Sequence, residues 1–263
     1  MVLGNLDTTI LSRRLSDRLV GRAIFYYDVL ESTMEEAGVL AGLGEPEGTV
    51  IVADEQTAGR GRFGRVWVSL RGQDILLSVI LRPDLGSLPY VNMAATLAVS
   101  HTITELTGFE AFVKWPNDVK IRHRKISGIL VDSVIERGQI IYAVVGIGIN
   151  VNSGPLQLSS INSDSTSLYY EVGRVFDRTD VLATLLERFD DFYGQVKNGD
   201  SLIDQWSDRL ETIGNKVRVK WSDRQIEGEA FGVDAYGNLL ISNQDGSIVT
   251  VVAGDVTLQS QLD

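Results

Sequence analysis

The sequence predicts an α+β protein, with a mixed domain of strands and helices over residues 1–211 and a small all-β barrel over residues 212–263. Two observations carry that reading. Helical and strand hydrophobic periods alternate along the larger part, without repeats or low-complexity linkers. Near Gly214 the pattern changes to short strands separated by turn signals. The 263 residues, 44% hydrophobic and 22% charged, suffice for one large core with a small unit appended. No apolar run approaches the roughly 18 to 20 residues a membrane span needs. The absence of cysteine excludes disulfides, thiolate metal sites and cysteine nucleophiles, and fits a cytoplasmic protein. A net charge of −11 disfavours nonspecific binding to DNA or anionic membrane. His101 and His123 lie too far apart for metal-ligand spacing.

The elements follow in order. Residues 1–22 carry Arg13, Arg14, Arg18 and Arg22 beside Ile10, Leu11, Leu15 and Leu19 at helical spacing. Asp7 and Asp17 speak against a targeting presequence, so a short docking helix with solvated arginines is expected. Ser32 and Glu35 form a capping-box signature that opens a helix running to the glycines at Gly42 and Gly44. Residues 48–56 read as a strand, followed by a glycine-arginine loop, strand again in VWVS (66–69), and ILLSVILRP ending at Pro83. A buried helix is expected over 92–107, then successive strands from Phe112 to Asn152. Val181, Leu182, Leu185, Leu186, Phe189, Phe192, Tyr193 and Val196 make one helical stripe, and a shorter helix follows around Trp206. Four short strands close the chain, with turns at 234–237, 245–246 and 254–255.

The loop GRGRFGR (59–65) admits several readings. Gly59, Gly61 and Gly64 satisfy the dinucleotide fingerprint, which requires a helix to start in the loop; strand-like residues follow instead. A kinase glycine loop would need HRD and DFG strings, and neither occurs; the nearest is His123-Arg124-Lys125. Three glycines let backbone approach a ligand closely. Three arginines in seven residues repel one another unless they are solvated or face anions.

Further motifs accompany the loop. Lys114-Trp115-Pro116-Asn117-Asp118 groups a cation, an aromatic, a rigid turn and a carboxylate at a strand end. Lys125 precedes Ser127-Gly128-Ile129-Leu130. Gly146 and Gly148 alternate along a strand before Asn150, a spacing expected where something flat packs on that face. Singly, each has a plain structural reading as a turn, a solvated lysine or a bulge. Together they point to a site.

In order and spacing the motifs resemble the biotin protein ligases, whose pattern is an S-T pair at a helix start, GRGRxGR, KWPND, a lysine before G-I-L, and GxGxN. The resemblance runs from about Ala23 to the end, including GEAFGVDAYGNLLI (228–241) and the closing GDV (254–256). It implies a central mixed sheet related to class II aminoacyl-tRNA synthetases and an SH3-like barrel. It implies a two-step reaction in which biotin and ATP give biotinyl-5′-AMP and pyrophosphate, and a lysine of a biotin carboxyl carrier protein then takes the biotinyl group. By position, Ser32, Thr33, Gln56, Arg60, Gly61, Arg62, Lys125 and Gly128 belong around biotin. Gly59, Arg62, Arg65, Trp67, Lys114, Asn117, Asp118 and Asn150 belong around ATP and the adenylate. Met34 departs from the asparagine usual after the S-T pair, and Ser127 from a smaller residue.

The chemistry explains the cations. A carboxylate attacking a phosphate brings like charges together, costing about 4 kcal/mol for a unit pair at about 4 Å and an effective dielectric near 20. Arg62 and Lys125 are the candidates for offsetting this at the reacting carboxyl and α-phosphate, whereas Arg60 and Arg65 are expected to order the loop and hold phosphates. Mg²⁺ is expected to accompany ATP without a dedicated protein cage. Three other readings compete: a lipoate protein ligase, a DNA-binding repressor, and a non-catalytic biotin-binding module. The repressor reading expects a winged-helix domain of about sixty residues before the catalytic region, where about twenty-two stand, so DNA binding is not expected. Monomer and homodimer both remain open.

Overall fold

The computed structural model describes residues 6–155, 158, 164–221, 224–243 and 245–258. Helix α1 (Thr8–Arg14) starts where the Asp7 carboxylate accepts from the N–H groups of Thr9 and Ile10. Its Leu11, and Leu15 just after it, are fully buried. Its arginine face is not simply solvated, contrary to expectation. Arg14 grips Glu187 through two bonds of 2.9 and 2.7 Å, and Arg18 pairs with Asp190 and Asp191.

Strand β1 (Ile24–Tyr27), helix α2 (Thr33–Gly42), strand β2 (Val50–Ala53) and strand β3 (Ile75–Leu81) come next. No strand forms at VWVS. Val66 and Val68 are largely exposed, and only Arg60 bridges to Val66. Alternation of β-branched residues makes a strand only where a neighbour offers a ladder. Helix α3 (Leu88–Thr107) carries Pro89 in its first turn and ends on the left-handed Gly108. Strands β4 (Ala111–Lys114), β5 (Asp118–Ile121), β6 (Arg124–Glu136) and β7 (Gln139–Ile149) follow as successive hairpins. Beyond them lie α4 (Leu168–Val172), α5 (Arg178–Lys197) and α6 (Ile203–Ser207).

The larger sheet runs β1-β2-β3-β7-β6-β5-β4, with β1 and β2 parallel and all other pairs antiparallel. Period-two alternation decides its two faces. Val50, Val52, Leu77 and Val79 point into the core with α3 and α5, while Ile51 and Ile80 meet Met34, Ala37 and Ala41 of α2. Covering on both faces is why every residue of β3 is buried and all but Ser78 are apolar.

The C-terminal sheet holds β8 (Lys216–Trp221), β9 (Arg224–Val233), β10 (Leu239–Ser242), β11 (Ile248–Val251) and β12 (Asp255–Leu258) in the order β11-β10-β9-β8-β12. The turn signal at Gly254–Asp255 therefore opens a fifth strand, paired antiparallel with β8. Its four residues are too short to show a period by themselves.

Candidate active site

The loop after β2 is closed at its base by backbone bonds from Trp67 N to Gly59 O (2.9 Å) and from Gly61 N to Arg65 O (2.8 Å). A Cβ on Gly59 would lie 2.4 Å from the Trp67 carbonyl, so only glycine permits this closure. Its tip is a 3₁₀ turn, Arg62–Gly64, with Phe63 at φ 55°. The three arginines then diverge. Arg62 turns inward and donates to Asn117 Oδ1 at 2.9 Å, and burial lowers its pKa. Arg60 meets Asp132 at 3.0 Å, while Arg65 reaches Asp255 at the start of β12.

Asn117 sits in the turn joining β4 to β5. Its amide donates to Ile129 O (2.7 Å) and its carbonyl accepts from Ile129 N (3.0 Å), which locks the turn onto β6. Asp118 opens β5 and faces Lys125 at 2.7 Å. A bulge delivers that lysine: Val119 pairs with Ser127 but Lys120 pairs with Lys125, leaving Ile126 as the extra residue. Bulges commonly re-aim side chains beside active sites.

Gly148 and Gly128 form a flat patch, and the object packed on it is the protein's own Trp67. A Cβ on Gly148 would come within 2.4 to 2.8 Å of the indole, and one on Gly128 within 3.0 Å. Lys125 Nζ lies 5.7 Å from the same ring centroid. Gly146 makes room for Met34, whose sulfur would be 2.5 Å from an added Cβ. Beside it a polar chain runs from Ser78 Oγ to Thr33 Oγ1 (2.9 Å) and on to Gln56 Oε1 (3.0 Å), which also accepts from Thr33 N (2.8 Å). Ser32 stands at the N-cap of α2 but makes no side-chain cap bond. Its buried hydroxyl, like the Trp67 indole N–H, has no partner among the described residues. Buried polar groups are normally satisfied, so the indole of Trp67, a residue that lines the cavity, is open to a ligand.

These pieces enclose a cavity of about 410 Å³. Arg60, Arg62, Arg65 and Lys125 line it against two carboxylates, Asp118 and Asp255. The protein carries −11 overall, so a cationic cleft with apolar walls of Leu77, Ile129 and Leu130 selects an anionic ligand with an apolar part.

Comparison with known proteins bears on what that ligand is. The model of the Biotin/lipoate A/B protein ligase family matches residues 27–150, and that of the Biotin protein ligase C terminal domain matches residues 212–258. The bifunctional ligase/repressor BirA of Bacillus subtilis (strain 168) is 36% identical over 260 residues, 97% of this chain and 80% of the relative. The chain belongs to the biotin protein ligase family. Among its relatives, the biotin–[acetyl-CoA-carboxylase] ligase of Mycobacterium tuberculosis is 33% identical over 93% of this chain and 94% of its own. The biotin protein ligase of Aquifex aeolicus, solved in complex with biotin and ATP, superposes with a TM-score of 0.76 at 30% identity, covering 90% of this chain and 98% of that one. The SH3-like barrel expected of a biotin protein ligase corresponds to the C-terminal sheet.

In this ligase twelve of the residues singled out by sequence line the cavity: Thr33, Gln56, Arg60, Gly61, Arg62, Arg65, Trp67, Asn117, Asp118, Lys125, Gly128 and Asn150. Three do not. Ser32 is buried at the N-cap of α2, Gly59 sits at the closed base of the loop, and Lys114 lies beside the turn, where burial lowers its pKa. Sequence reasoning passed over Asp255, Leu158 and Ser165, which also line the cavity. Only Asp255, in the closing GDV, carried any signal. The alternating glycines did signal a flat neighbour, but nothing identified it as Trp67.

Proposed function

We propose that this chain activates biotin with ATP and transfers it to a carrier-protein lysine in the cytoplasm. The observation that carries the reading is the pairing of Arg62 with Asn117 and of Lys125 with Asp118 in a cavity that Leu77, Ile129 and Leu130 also line. Thr33 and Gln56 take the polar ring of biotin, and Gly128, Ile129 and Leu130 flank its chain. The biotin carboxylate attacks the α-phosphorus of ATP, the bond to the β-phosphate breaks, and pyrophosphate leaves. Arg62 and Lys125 stabilise the charge that develops as this bond exchange proceeds, each lowering the barrier by a few kcal/mol, as roughly 3 kcal/mol is typical of a positioned donor. Arg60 and Arg65 hold phosphates, helped by the fork geometry of guanidinium.

In the second step the acceptor ε-amine attacks the acyl carbon of biotinyl-5′-AMP and AMP leaves. The amine must shed a proton, which we assign to Asp118. Mg²⁺ enters with ATP as part of the substrate. Among the described residues no group of three carboxylate or imidazole side chains stands ready to hold it. No helix among them is long and apolar enough to cross a membrane. The division into residues 1–211 and 212–263, a biotin carboxyl carrier protein as acceptor, and the lack of a DNA-binding role belong to the same proposal.

Pyrophosphate release from ATP, measured with biotin or lipoate before any acceptor is added, tests this reading. Release that depends on biotin is expected. Release with lipoate alone would reassign the acid, and silence with both would favour a binding module.

A further inference from the structure

Glu171 lies outside the cavity and takes no part in the chemistry above, yet its side chain is 0% exposed. Burying a carboxylate is costly unless it is paired. Here Arg124 Nη2 approaches at 2.7 Å and Arg122 Nη1 at 3.7 Å, and the Thr166 hydroxyl donates to the same oxygen as Arg124. Each guanidinium also stacks on a ring, Arg122 over Phe109 at 3.9 Å and Arg124 over Tyr170 at 4.3 Å.

Arg122 lies within the tight turn between β5 and β6, and Arg124 follows it at the start of β6. The turn's central residues, Arg122 at φ 48° and His123 at φ 65°, both occupy the left-handed region. Side chains with a Cβ disfavour that region, and such strain persists only where the surroundings over-determine it. Lys125 follows the turn directly. Its N–H donates to Asp164 O at 2.7 Å and its carbonyl accepts from Thr166 N at 2.8 Å. The Thr166 carbonyl in turn accepts from Asn150 Nδ2 at 2.9 Å. Ser165, bridged to Lys125, faces the cavity between them. One buried carboxylate thus ties the strained turn to Thr166, and from those two anchors hang Lys125, Asn150 and Ser165.

We propose that Glu171 is a positioning residue for adenylation, fixing the Lys125 ammonium and the wall formed by Asn150 and Ser165 against the nucleotide. The proposal rests on the adenylation reading above. Glu171 touches neither substrate, so its influence passes through Arg124 and Thr166.

The test compares wild type with Glu171→Ala, Glu171→Gln, Arg124→Ala and the double variant Glu171→Ala/Arg124→Ala. The readouts are biotin-dependent pyrophosphate release and calorimetric biotin binding without ATP. Glu171→Ala should lower kcat/KM for ATP by roughly 10- to 100-fold, the scale of a small misplacement of reacting groups, with biotin affinity unchanged. Glu171→Gln keeps an acceptor oxygen for Arg124 and Thr166 and should recover most of the loss. The double variant should be little worse than Glu171→Ala alone, because both act through one link. A lower melting temperature with unaltered kcat/KM for ATP would overturn the role, as would an equal loss of biotin affinity. Should Glu171→Ala fail to fold, Thr166→Val cuts one link and leaves the ion pair; ATP kinetics like wild type in that variant overturn the proposal. A wild type without biotin-dependent release overturns the parent reading instead. Equal ATP affinity in wild type and Glu171→Ala would then overturn the positioning role separately.

Discussion

Lys125 reaches the cavity through a bulge and meets Asp118 at 2.7 Å, with about a quarter of each side chain exposed. The ammonium is therefore oriented before substrate arrives, and its charge is only partly offset by solvent. Lys125→Ala should cut the turnover of adenylation by roughly 10²-fold while biotin affinity changes far less, since the charge acts chiefly as the transition state forms. Part of the loss comes from the Asp118 carboxylate left facing the phosphates, so Asp118→Asn in the same chain should restore some activity. Single-turnover kinetics decide this, and near-normal turnover in Lys125→Ala would remove its catalytic assignment. At this scale the sequence was largely readable, because Thr33, Arg62, Asn117 and Lys125 sit in short strings that resemble the biotin protein ligase pattern, and all four line one cavity. Ser165 was not readable, for it enters the cavity only through backbone bonds between Lys125 and the segment at Asp164–Thr166.

Elements differed in legibility for a physical reason. Helix α5 presents a long periodic face and α3 a long buried run, and both show plainly in sequence. Strand β1, four half-buried residues paired only with β2, does not. At Ser32 and Glu35 the capping signature marked the helix start correctly although the serine hydroxyl caps nothing; start signals reflect backbone preference as well as the bond itself. The foot of β7 holds a less visible device. Asp74, buried before β3, accepts from Val151 N (2.9 Å) and from Ser153 Oγ through both oxygens, near the buried Arg178–Asp54 pair. Burial pushes the Asp74 carboxyl up to about 6, against the lowering effect of those hydrogen bonds and of Arg178. A raised carboxyl gains its proton in the folded state first. Its contribution to stability is therefore complete below the unfolded value near 3.9 and is lost as pH rises through about 6. Between pH 5 and pH 8 that loss is on the order of 1 kcal/mol. Asp74→Asn removes the titration, so urea unfolding at the two pH values should show a smaller fall in stability than wild type. An identical fall in both proteins would refute the assignment.

On the scale of the whole molecule, what the sequence could not show is how the C-terminal sheet sits on the larger one. One cluster of buried side chains extends from Leu11 through Trp206 to Val217, Leu239 and Leu258. Trp115, beside the site's turn, donates through its backbone N–H to Thr212 Oγ1 (3.0 Å) and through its indole to the Gly237 carbonyl (2.8 Å). Gly237 has φ 79°, and a Cβ there would lie 2.5 Å from the Met93 methyl and 3.2 Å from the Trp206 ring. The methionine end can swing aside. The Trp206 ring is held by its 2.9 Å bond to Thr96 and has less freedom. Together with the left-handed backbone this makes Gly237→Ala cost about 1–3 kcal/mol. Because the core is shared, the loss should not melt the C-terminal sheet by itself. Calorimetry should show one transition, lowered by roughly 2–4 °C for each kcal/mol lost. An early, separate transition in Gly237→Ala would mean that the two sheets fold independently, and that the Trp115 contact does not couple the C-terminal sheet to the Asn117–Asp118 end of the site.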